Sequence, residues 1–137
     1  NKGEVFRIME VDYYKMADPS VLSFCLGRDY HYIILDYGEV TESSLCECAR
    51  CDRKILVVSL SEWKAEAFLE VLEQAGNRDE SWRMAVVSGG EDTRREIEKL
   101  FRCRLQRLPA SADAFRITRE EIPCFEDLLF ARRGRAR

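Results

Sequence analysis

Tyr32-Ile33-Ile34-Leu35-Asp36-Tyr37-Gly38 is the stretch on which a reading of the fold turns. Residues 32–35 form a continuous apolar run with no polar alternation. Such a run reads as a strand of a parallel sheet, covered on both faces. Asp36 then ends the strand, and Gly38 permits a sharp turn two places later. In open α/β sheets, ligands bind in the crevice outside the carboxyl ends of the strands. An acidic group placed there commonly faces a metal ion, a phosphate or a phosphoryl acceptor.

The flanking sequence extends this pattern. Residues 5–14 are rich in β-formers and read as one strand. Asp18 and Pro19 resemble an N-cap and a first helical position, and Gly27 a helix stop, so a short helix is expected between them. Ser43 or Ser44 can cap a helix running to about Cys51. Residues 54–60 (KILVVSL) read as a third, buried strand. Ser61 is expected to cap a helix ending before Gly76, with Phe68, Val71, Leu72 and Ala75 on one face. Residues 83–87 form a fourth strand, closed by Ser88-Gly89-Gly90. Asp92 or Thr93 can cap the next helix, with Ile97, Leu100 and Phe101 inward and Glu91 paired with Arg95 across one turn. Residues 103–108 form a fifth strand before Pro109. Pro123 begins a last helix carrying Phe125, Leu128 and Leu129. Alternating strands and helices predict an α/β fold, a mostly parallel sheet with helices on both faces.

Composition narrows the function classes. The 137 residues suffice for one core. Apolar residues make up 46% and charged residues 34%, an ordinary globular balance. A net charge of -3 gives no global pull toward nucleic acid or anionic lipid. No run is long enough to span a membrane, and no signal-peptide pattern opens the chain. Six cysteines in such a sequence are expected to be reduced thiols of a cytoplasmic protein. The basic tail at 132–137 is expected to be disordered, with no nucleic-acid partner.

Two families place an aspartate after a strand like 32–35. One is the response-regulator receiver domain, which uses it as phosphoacceptor. A receiver also needs an acidic pair near its start and a lysine beyond its fifth strand. Here Asp12 lies only 24 positions before Asp36, and no lysine follows Lys99. The other is the MinD/ParA-type branch of P-loop ATPases, a bacterial cytoplasmic group that includes partitioning and septum-placement proteins. The segment 29–63 (DYHYIILDYGEVTESSLCECARCDRKILVVSLSEW) resembles its Walker B and switch II region, the following helix and the next strand. The segments 83–90 (RMAVVSGG) and 96–116 (EIEKLFRCRLQRLPASADAFR) resemble its later strands and the loop near the base. The resemblance implies a P-loop NTPase-like, Rossmann-like three-layer fold. It implies that Asp36 orders a magnesium-bound water and that Gly38 belongs to switch II. Ser88 and Gly89 stand where the family carries an asparagine pair, on the cofactor side. The loop 109–113, with Pro109 and Asp113, would lie near adenine.

The phosphate-holding half of such a site is missing. A P-loop requires G-x-x-x-x-G-K-[ST], whose backbone N–H groups and lysine hold the phosphates. Of the five lysines (Lys2, Lys15, Lys54, Lys64 and Lys99), none follows a glycine and none precedes serine or threonine. ATP and magnesium are therefore expected only in a longer parent protein, and hydrolysis by this chain is not expected. The family's P-loop strand lies inside the sheet, so its loss predicts an incomplete sheet. The chain then reads as a single α/β domain over 1–137 or as the C-terminal fragment of a longer ATPase-like domain. The start at Asn1 favours the fragment. The functional expectation is a regulatory or interaction role with a protein partner or a second copy. A non-catalytic dimerisation module and a receiver-like phosphoacceptor using Asp36 are the alternatives.

Cys46, Cys48 and Cys51 form C-x-C-x-x-C, a spacing at which thiolates can bind zinc or an iron–sulfur cluster. On a helix, at about 100° per residue, Cys46 and Cys48 point to nearly opposite sides, so core thiols are the preferred reading. His31, the one histidine, has no partner acid or nucleophile in the sequence pattern. Trp63 and Trp82 are expected at element boundaries, partly buried.

Overall fold

A computed structural model describes residues 5–15, 20–76, 78–111, 113 and 115–130, with the side chains of residues 62–65 left aside. The expected helix start at Asp18 and Pro19, the Trp63 side chain and the tail at 132–137 lie outside the described residues. The chain divides into two compact units, Asn1–Gly38 and Glu39–Arg137.

The first unit is built on an antiparallel hairpin, β1 (Val5–Ile8) and β2 (Val11–Tyr14). This corrects the expectation of one strand over 5–14. The turn is Met9-Glu10, both at positive φ (48° and 66°), as a two-residue type I′ hairpin requires. Arg7 stands directly across from Asp12 and grips it with two hydrogen bonds of 2.6 and 3.1 Å. Tyr30 donates to the same carboxylate at 2.8 Å, and its hydroxyl lies 2.7 Å from that of Tyr14. The Arg7 and Tyr30 donors hold Asp12 below the ordinary carboxylate range. Tyr14 and Asp12 together push Tyr30 above the ordinary phenol range. Helix α1 (Ser20–Leu26) follows, and the Arg28 guanidinium sits 4.6 Å over the Phe24 ring.

Residues 32–35 form no strand. Among the described residues they join neither sheet, and Tyr32 and Ile34 are 72% and 85% exposed. Among the described residues of this unit, no strand runs parallel beside them. An apolar run supplies the side chains of a buried strand but not the ladder that makes it one.

The second unit carries the α/β pattern. Helix α2 (Glu42–Cys48) begins at Thr41, whose hydroxyl accepts from the Ser44 N–H at 3.1 Å while Ser44 returns the bond at 2.8 Å. This capping box places the cap two to three residues earlier than Ser43 or Ser44. Strands β3 (Lys54–Leu60), β4 (Trp82–Gly89) and β5 (Leu105–Arg107) form a parallel sheet in the order β3-β4-β5. Helices α3 (Glu62–Gln74) and α4 (Glu91–Phe101) make the crossovers, and α5 (Ile122–Leu129) closes the unit. Gly90, rather than Asp92 or Thr93, occupies the N-cap of α4.

The core lies on one face of the sheet. Leu56, Val58 and Leu60 of β3, Met84 and Val86 of β4 and Leu105 of β5 pack with Phe68 and Leu72 of α3 and Ile97 of α4. The period-2 alternation of the strands and the 3.6-residue periodicity of the helices converge on this cluster. Helix α5 meets β5 from the other side. Gln106, which alternates with core Leu105, donates to the Cys124 carbonyl at 2.8 Å, and Arg104 pairs with Asp127 at 3.0 Å. Helix α5 thus reaches this second face at β5, whereas α3 and α4 both pack on the core face. The cover is partial: on the face opposite the core, Ile55, Val57 and Val87 are 39%, 59% and 52% exposed.

Charge pairing fastens α4. Glu91 accepts from Arg94 at 2.6 Å and pairs with Arg95 at 3.3 Å, the contact expected across one turn. Glu98 accepts from the Leu105 N–H at 2.8 Å, tying α4 to the start of β5. The Arg94 hydrogen bond holds the Glu91 carboxyl down to about 2, against an ordinary 4.5. Because its folded value is depressed, Glu91 stabilises the fold above about pH 4.5, and that contribution disappears as the pH falls toward 2. In acid-unfolding curves, Glu91→Gln should lose less stability than the native chain across this window. Parallel curves for the two proteins would contradict the assignment.

Candidate functional site

The carboxyl ends of β3, β4 and β5 bring together most of the distinctive chemistry of the second unit. A bulge creates the arrangement. Val58 pairs with Val86, but Ser59 pairs with Ser88, so Val87 is the extra residue on β4. The shift lets the Ser59 and Ser88 hydroxyls meet at 2.5 Å, while Ser59 also lies 3.0 Å from the Ser61 hydroxyl. Ser61 caps α3 and Gly90 caps α4, neither with a side-chain cap bond. Two helix N-termini thus open beside three hydroxyls at one sheet edge. Glu91 and Asp92 in the first turn of α4 already satisfy its positive end.

Gly89 ends β4 at φ +127°, and a Cβ built on it would stand 2.5 Å from the Leu60 Cβ. Glycine is therefore required there both for its backbone angle and for the close approach of β3. The Arg107 guanidinium donates to the Gly89 carbonyl at 2.6 Å, clamping β5 to this end of β4.

Beside Arg107, a cleft of about 610 Å³ runs between Val87, Leu108, Pro109, Glu121 and Cys124. Its size falls in the range of small-molecule sites. Its floor is held by the Leu108 N–H donating to the Val86 carbonyl at 2.8 Å. Its rim is held by Glu121, which accepts from the Thr118 N–H at 2.6 Å. The lining mixes apolar side chains with Arg107 and Glu121, whose charged groups are already held by the Gly89 carbonyl and the Thr118 N–H.

The residues singled out in the sequence fall in different places. Ser88 and Gly89 lie at the carboxyl end of β4, and Pro109 lines the cleft. Asp113 lies outside that lining. It is exposed, and its carboxylate accepts from the Phe115 N–H at 2.9 Å to shape its own loop. Asp36 and Gly38 belong to the first unit. The exposed Asp36 carboxylate accepts from the Gly38 N–H at 2.9 Å, and Gly38 has φ +66°. His31 is exposed and in no strand, whereas Trp82 is half-buried at the first position of β4, the boundary placement expected of it.

Cys46 is exposed, and Cys48 and Cys51 are half-buried. Among the described residues, no three His, Cys, Asp or Glu side chains are grouped to hold a metal ion. Burial, followed by the neighbouring Cys51, pushes the Cys48 thiol up. The sequence places Ser59 and Ser61 at a strand end but does not announce the Ser59–Ser88 contact, nor Arg107 and Cys124 as neighbours of this end of the sheet. Ser59 and Arg107 are brought in by the bulge and by the register of β5, which no local motif announces. Among the described residues, no helix is long and apolar enough to cross a membrane. Comparison of the chain with family models, curated proteins and solved structures gives no match.

Proposed function

We propose that this chain is a MinD/ParA-like, ATPase-related module that has no phosphate loop of its own and acts by association, two copies joining through β3. The observation that carries this reading is the state of β3. It is an outer strand of the sheet, paired with β4 alone, and its second edge has no partner among the described residues. It is also the longest edge, seven residues from Lys54 to Leu60, against three in β5. Long, apolar sheet edges are templates for further strand pairing. Exposed Ile55, Val57 and Val87 lie on the sheet face beside that edge. A two-fold contact would cover the same patch in both copies. In the resembling family, the strand that carries the P-loop would occupy a place inside the sheet, so an open edge also accords with a lineage that has lost it.

Nucleotide binding belongs in this reading only to a longer parent protein with an upstream P-loop, where Asp36 would act through magnesium. The chain alone should give no heat of binding when titrated with ATP and magnesium in a calorimeter. A micromolar dissociation constant, roughly -8 kcal/mol of binding, would return the chain to the nucleotide-binding class.

A further inference from the structure

Cys48 and Cys51 stand where α2 ends and the connection to β3 begins. Helix α2 stops at Cys48, and the Cys51 N–H donates to the Cys48 carbonyl at 2.9 Å across the exposed Ala49-Arg50 turn. Residues three apart in such a turn carry their Cβ atoms about 5–6 Å apart on the same side. A disulfide needs about 3.5–4.5 Å, roughly 1 Å closer. The movement falls in a two-residue turn beyond the helix. Cys46 is two positions from Cys48 on α2, and residues two apart do not face each other. The Cys48 thiol donates to the Leu45 carbonyl at 3.2 Å, while the Cys51 carbonyl accepts from the Lys54 ammonium at 2.8 Å. That ammonium also donates to the Ser81 hydroxyl at 2.8 Å, so the Cys51 backbone is linked to the connection before β4.

We propose that Cys48 and Cys51 are a reversible dithiol that hydrogen peroxide closes to a disulfide, locking the α2–β3 junction. The Cys51 sulfur, as thiolate, attacks one peroxide oxygen. The O–O bond breaks, hydroxide leaves and takes up a proton as water, and Cys51 becomes a sulfenic acid. The Cys48 sulfur then attacks the Cys51 sulfur. The S–S bond forms, the S–O bond breaks, and water leaves with the Cys48 proton. Two thiols are oxidised by two electrons, and one peroxide is reduced to two waters.

The test uses the full reduced chain, treated with a small excess of hydrogen peroxide, alkylated and digested with trypsin. Cleavage after Arg50 separates the two cysteines, so the disulfide appears as two peptides joined and lighter by two hydrogens. The folded chain should lose the Cys48 and Cys51 thiols together, faster than the chain in concentrated urea, and dithiothreitol should restore both. Cys51→Ser should abolish the link and leave Cys48 open to alkylation. Cys46→Ser should leave the link intact. Recovery of both thiols under conditions that oxidise exposed Cys46 would overturn the proposal. So would a dominant link to Cys46, or a linking rate no higher in the folded chain than in urea.

Discussion

Replacing Gly89 by alanine is expected to destabilise the second unit by about 3 kcal/mol, the sum of a strained backbone and a forced contact. The residue sits at φ +127°, a region that side chains rarely enter. The added Cβ would also stand 2.5 Å from the Leu60 Cβ and 3.0 Å from the Leu60 Cα. Leu60 cannot swing aside cheaply, because it is 3% exposed and belongs to the core cluster. Relief would have to come from separating β3 and β4 at their carboxyl ends, which breaks the Ser59–Ser88 contact. For a unit of this size the melting temperature should fall by more than about 10 °C. A loss below about 1 kcal/mol in urea titration would mean that β4 does not end in the described conformation.

The second large effect is expected at Leu72. This α3 residue is 2% exposed and packs among Phe68, Leu56, Val58 and Met84 in one cluster. Leu72→Ala removes the transfer energy of the lost atoms and leaves a cavity, together about 3 kcal/mol. Leu100→Ala makes the contrast. Leu100 was expected inward on α4 but is 74% exposed, so its truncation should change stability by less than about 0.5 kcal/mol. Urea denaturation of the two variants side by side separates the observed core from the one that simple periodicity suggests. Equal losses would contradict the packing.

Elements whose local pattern alone decides their form are legible in the sequence. Residues 54–60 form β3 at the expected bounds, because a seven-residue run with five apolar side chains, set between a charged turn and a serine cap, leaves little choice. Helix α3 matches as well, since Phe68 and Leu72 supply its buried stripe. The hairpin is missed because Met9-Glu10 carries neither glycine nor asparagine, the residues that normally announce positive φ. Residues 32–35 are misread for a different reason. Their apolar character is real, but strand formation is a property of a pair, and sequence does not supply the partner. Ser88 and Gly89 stand at the end of β4, where the fourth strand is expected to close, and Pro109 follows β5 as the sequence suggests. The meeting of Ser59 with Ser88 is not legible, because it depends on a one-residue shift at Val87.

Association of two copies is proposed to take place at the open β3 edge. Val57 lies at its centre with 59% exposure, so Val57→Lys should leave the fold intact while placing a charge on the exposed face beside the edge. Sedimentation velocity across a concentration series spanning roughly the micromolar range tests this directly. The native chain should shift reversibly from one copy to two as its concentration rises, and Val57→Lys should remain a single copy throughout. Native protein that sediments as a single copy at every concentration, indistinguishable from the variant, would contradict it.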